Sequence, residues 1–111
     1  MTANYVLMTP LQILDTSTID KVNYTAVDAS GLAEACYNLK FYNYSANPIF
    51  LSMDGVIDCD YIPPEVSFPG YAQSNAQKRD AAFWRKGQIF WVRGVASVGE
   101  FTIAGYYQPQ I

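Results

Sequence analysis

Residues 35–44, ACYNLKFYNY, alternate in character, and no stretch of similar length in the chain repeats at helical spacing. Successive side chains of an extended strand leave opposite faces. Ala35, Tyr37, Leu39 and Phe41 are therefore expected on one face, toward a core, with Cys36, Asn38, Lys40 and Tyr42 on the other. Nowhere do apolar residues recur at i, i+3, i+4 and i+7 over a dozen positions, whereas several short runs alternate with β-branched or aromatic enrichment. The chain reads as all-β.

Residues 11–16 (LQILDT) and 22–27 (VNYTAV) are expected strands, followed by a turn at DASG. In PIFLSMD, Ile49, Leu51 and Met53 are expected to face the core, with Phe50, Ser52 and Asp54 opposite. The preceding SANP suits a hairpin link to the strand at 35–44, because proline lacks a ladder donor and tolerates a first strand position. Pro63-Pro64 ends the next segment, and EVSF reads as a short strand. NAQKRDAAFWRKG has room for one helical turn. GQIFWVRG alternates Ile89, Trp91 and Arg93 against Phe90 and Val92, and GEFTIAGYY is the last strand, joined to it by VASVG at hairpin length. Six or seven short strands with Gly/Pro punctuation predict an antiparallel β-sandwich or jelly-roll-like barrel. At 111 residues the expectation is a single domain, 1–111, with 1–10 and 108–111 as candidate arms.

The formal net charge is −3, and the seven basic residues are scattered apart from Lys78-Arg79 and Arg85-Lys86. No basic stripe exists to follow a phosphate backbone, so nucleic acid is not an expected partner. Apolar runs fall far short of the roughly 20 residues that span a bilayer, and MTANYVLMTP lacks the basic start and apolar block of a signal peptide. The expectation is a chain made in a cytoplasm, with no membrane partner. There is no histidine, which removes Ser-His, Cys-His and His-ligated metal schemes together. Cys36 and Cys59 are too few for a four-cysteine zinc site and read as small, buried or half-buried thiols, with a bridge between them as the alternative.

The nearest approach to chemistry is NPIFLSMDGVIDCDYIPP, residues 47–64. Asp54, Asp58, Asp60 and Glu65 lie close together in sequence, yet a glycosidase-like pair normally comes from different strands across a large cleft. An EF-hand is excluded by the early glycine and by Pro69 where its glutamate would stand. Asp54 and Gly55 are therefore read as a turn, with Asp58 and Asp60 on the outward face of a short edge segment, toward solvent or a neighbouring subunit. No catalytic residue, metal or cofactor is expected. On this reading, Asp58→Asn leaves folding intact.

Nine tyrosines, six phenylalanines and two tryptophans exceed what one core of this size needs. Tyr42 and Tyr44 fall opposite Phe41, and Tyr106 and Tyr107 must leave opposite faces, so several rings should reach the surface. Exposed Tyr and Trp suit protein contacts. The candidate interface is Tyr42, Tyr44, Trp84, Arg85, Tyr106 and Tyr107, with a core position as the alternative for Trp84. The rival reading is a carbohydrate-binding module, with Trp84, Trp91 or tyrosines as the stacking platform and Asp58 or Asp60 binding hydroxyls.

Taken together, N-P-I-F-L-S-M-D-G-x-x-D-x-D-Y-I-P-P, a polar loop with Asn75, then F-W-R-K-G-Q-I-F-W-V-R-G and G-E-F-T-I-A-G-Y-Y resemble small virion structural proteins of tailed bacteriophages. The likeness covers residues 47–107; Cys59 stands where that pattern has a polar residue or histidine. The resemblance implies a non-enzymatic protein acting as a symmetric oligomer, in a ring at the head-tail neck or tail or on the capsid as decoration. Its partners would be itself and the portal, adaptor, tail or major capsid protein, and its place the virion. The turn at Asp54-Gly55 and the loop from Pro69 to Lys86 would then be available to a second partner.

Overall fold

A computed structural model describes residues 6–64 and 83–108. Eight strands are formed among them: β1 (Leu7–Met8), β2 (Gln12–Asp15), β3 (Thr25–Ala26), β4 (Asn38–Asn43), β5 (Ile49–Ser52), β6 (Asp60–Ile62), β7 (Trp91–Arg93) and β8 (Glu100–Tyr107). They make two four-stranded antiparallel sheets, as a β-sandwich requires. In the first, β8 is central, with β4 on one side and β1 and β2 on the other. The second runs β3-β7-β5-β6.

The core lies between the sheets because each strand turns one alternate set of apolar residues inward. Leu39, Phe41, Phe101 and Ile103 come from the first sheet, and Ile49, Leu51, Ile62 and Val92 from the second. Phe90, just before β7, is the aromatic hub. Its ring meets Phe41 edge-on at 5.4 Å between centroids and Trp84 at 5.8 Å.

Both expected hairpin links instead cross between layers. β4 pairs with β8 and β5 with β6 and β7, so SANP carries the chain from the first sheet to the second. VASVG carries it back, from β7 to β8. The first crossing is held by Asn43, whose fully buried amide donates to the carbonyls of Asn47 (2.9 Å) and Ile62 (3.2 Å) and accepts from the amide and hydroxyl of Ser45. At the second, Gly99 has φ 144°, and a Cβ there would stand 2.3 Å from the Tyr44 carbonyl oxygen. The hairpin present is β5–β6, closed by the segment from Met53 to Cys59.

Several expected elements are shorter. Residues 22–27 yield only Thr25–Ala26, and residues 35–44 only Asn38–Asn43. Before β4 the alternation breaks: Cys36 is fully buried and Ala35 exposed, opposite to expectation. The cause is a separate bridge, in which Cys36 and Trp84 exchange amide-to-carbonyl bonds of 2.8 and 2.7 Å. Leu7 and Met8, within the candidate arm, form a strand against Tyr107 and Tyr106. EVSF, the candidate helical turn before Phe83, Asn75, most of the loop from Pro69, Lys78-Arg79 and the outer parts of both candidate arms lie outside the described residues.

Candidate functional site

Register decides which side chains share the outward face of the first sheet. Tyr42 is opposite Thr102, and Thr102 is opposite Ile13; four residues further along β8, Asn38, Tyr106 and Met8 form another row. Between them Lys40 is opposite Ala104. The small central residues, Thr102 and Ala104, are buried although no described strand or sheet layer covers this face. Large side chains on the flanking strands shield them. Tyr42 and Tyr44 lie two residues apart on one strand face and stack at 5.5 Å with 5° between ring planes. The Lys40 ammonium lies 5.4 Å from the centre of the Tyr106 ring. Met8 (58 %), Ile13 (53 %) and Tyr44 (52 %) are exposed. The face is partly aromatic and exposed, with Lys40 within it and Asp15 and Glu100 forming a row at one end.

The other expected interface residues separate from this group. Tyr107 turns inward and packs against the core. Trp84 does the same through Phe90 and its bridge to Cys36, taking the core position weighed for it. Arg85 is exposed. Met8 and Ile13 belong to the face but were not among the expected residues, because Met8 lay in the candidate arm and LQILDT offers apolar side chains in both phases of alternation. Gln12, not Ile13, is the buried member of that strand.

The acidic segment folds back over the outward face of the second sheet. Ser52 is fully buried there, and its hydroxyl bonds to the Asp54 carboxylate at 3.0 Å while accepting from the Gly55 amide at 3.0 Å. The strand ends at Ser52, so Met53 loses the alternation and is exposed instead of entering the core. Gly55 has φ 74°, and a Cβ on it would stand 3.3 Å from the Trp91 ring, so the loop lies directly on that indole. The Asp54 carboxylate accepts from the amides of Val56 (2.9 Å) and Ile57 (3.1 Å), which hold its pKa below the ordinary value.

Asp58 is exposed, in keeping with the outward placement expected for it, and it is also the anchor of this loop. The Arg93 guanidinium donates to both its oxygens, and the Tyr24 hydroxyl donates to Oδ1. Arg93 also donates to the Lys21 carbonyl at 2.8 Å and lies 4.6 Å from the centre of the Phe50 ring. The Arg93 fork, then Tyr24, lowers the Asp58 pKa, and the Asp58 carboxylate raises that of Tyr24. A carboxylate so engaged is a poor proton acceptor. Asp60 accepts from the Tyr61 amide at 2.8 Å and shares neither partner of Asp58. Among the described residues, no three acidic or thiol groups converge as metal ligands would.

Between the sheets, Phe41, Leu51, Phe90 and Trp84 border a cavity of about 270 Å³ that also touches Cys59 and Asp60. Both cysteines are free thiols. Burial pushes the Cys36 thiol up to about 11, whereas Cys59 is exposed. A water-soluble disulfide reagent should therefore titrate one thiol in the folded protein and the second only after denaturation. Rapid reaction of both under native conditions would contradict the burial of Cys36.

Asp58→Asn should leave the fold intact while reducing thermal stability at neutral pH. The folded pKa of Asp58 lies below its ordinary value of 3.8. Its contribution is therefore present above that value and lost as pH falls through the lowered one. The gap in unfolding temperature between wild type and variant should close in acid; a gap that widens there would contradict the Asp58–Arg93 pairing.

Comparison with known protein families, with characterised proteins and with solved structures returns no match for this chain.

Proposed function

We propose that this chain is a non-enzymatic structural component of a tailed-bacteriophage virion, working as a symmetric oligomer. The observation that carries the assembly is the outward face of the first sheet, where Met8, Ile13, Tyr42, Tyr44 and Tyr106 stand around small buried residues with Lys40 as the one cation. The middle of this surface, rich in tyrosine and bounded at one end by Asp15 and Glu100, fits the core of a protein contact. The sequence likeness over residues 47–107 directs the proposal to a virion, at the head-tail neck or tail or on the capsid. Portal, adaptor, tail or major capsid protein would be the other partner, met through the rigid loop that presents exposed Val56 and Ile57.

Carbohydrate binding is less well supported. A stacking platform needs free aromatic faces, but Trp84 is packed on Phe90, Trp91 lies under Gly55, and Tyr42 and Tyr44 occupy one face of each other.

Mass spectrometry of purified particles of the phage that encodes the chain tests the proposal. The expected result is the chain present in the copy number of a ring or lattice. Its absence from particles, together with a stable monomer that binds a specific glycan, would overturn the proposal.

A further inference from the structure

We propose that β2 pairs with β2 of a second copy of this chain, antiparallel about a two-fold axis at Ile13, continuing the first sheet across the contact. The inference rests on the assembly reading above and adds a second contact to it: the edge pairing lengthens the outward face, with Tyr42 on β4 across β8 from the joined edges, and the face itself is covered separately. Bonded pairs in an antiparallel ladder recur at every second residue. The Thr16 amide bonds to the Gly99 carbonyl at 3.1 Å, and Leu14 and Gln12 follow in the same phase opposite Phe101 and Ile103. Residues 12, 14 and 16 therefore turn their backbone groups toward β8, and Ile13 and Asp15 turn theirs away, the Asp15 carbonyl also accepting from the Thr18 hydroxyl at 2.7 Å. No described strand pairs with that edge.

Monomeric proteins blunt such edges with lysine, proline or inward-pointing charge. Here Pro10 and Asp15 confine such features to the ends of the edge; the four residues between them carry no charge, and Leu11 and Ile13 are exposed. A two-fold contact uses the same patch twice, so its groups must complement themselves. They do so about Ile13: each copy's Ile13 amide meets the other's Ile13 carbonyl, and Asp15 faces Leu11. Charge excludes one register. Centring the pair on Asp15 would oppose two carboxylates, whereas centring it on Ile13 sets each Asp15 beside the other copy's uncharged Leu11.

Light scattering of the full chain across a concentration series tests the pairing in wild type, Ile13→Lys and Ile13→Cys, the last also carrying Cys59→Ser. Wild type should associate, and Ile13→Lys should raise the dissociation constant about tenfold or more while keeping the wild-type circular dichroism spectrum. Oxidised Ile13→Cys should yield a covalent dimer, since Cα atoms about 5.5 Å apart in a bonded pair lie within disulfide reach. Val98→Cys, on an exposed loop in the same background, should not. Wild-type association that survives Ile13→Lys, with no cross-link from Ile13→Cys, would overturn the edge pairing and leave the assembly reading standing. A wild-type monomer throughout would overturn both.

Discussion

Phe90→Ala should lower the free energy of unfolding by about 3–5 kcal/mol. Phe90 is 1 % exposed and joins the two sheets through its contacts with Phe41 and Trp84. Removing the ring forfeits its transfer from water and leaves a void. The neighbours cannot close the void by sliding, because Phe41 is held in β4 and Trp84 by its bridge to Cys36. A domain of this size is typically stable by about 5–15 kcal/mol, so the variant should be near its limit at room temperature. Denaturant unfolding would show this as a large fall in midpoint; a loss below about 1 kcal/mol would mean that the sheets do not close on this residue.

Asn43→Leu should cost about 2–4 kcal/mol, although it replaces a polar residue with an apolar one of similar volume in the interior. The Asn43 amide serves the Asn47 and Ile62 carbonyls and the Ser45 amide at the crossing between sheets. Leucine would remove the Asn43 bonds to the Ile62 carbonyl and the Ser45 amide in the interior, while the Asn47 carbonyl would keep only the Ser45 hydroxyl, and the cost of an unmade buried bond exceeds the gain from an apolar side chain. Denaturant unfolding measures the loss. An unchanged or raised midpoint would show that the crossing is held by packing alone.

The sequence made the strand content readable because alternation is local. The strand GEFTIAGYY and the opposition of Phe90 and Val92 to Ile89, Trp91 and Arg93 agree with the structure. Pairing was not readable in the same way. SANP and VASVG have hairpin length, and only buried contacts from far along the chain, such as Asn43 to Ile62, decide that each crosses to the other sheet. The acidic loop was hidden for the same reason. Ser52 looked outward by alternation, but its outward side is covered by the loop that Asp58 ties to Arg93, 35 residues away. Tyr42 and Tyr44 were legible as outward residues because they alternate against Phe41, whereas which of Tyr106 and Tyr107 joins them was not. Met8 and Ile13 needed the register with β8 to join them.

The central claim, that this outward face is buried by symmetric assembly, is tested most directly by sedimentation equilibrium of the full chain over a wide concentration range. The expected mass is two or more times 12.4 kDa, falling toward one copy when Tyr44 is replaced by arginine. A single 12.4 kDa species at every concentration would contradict it.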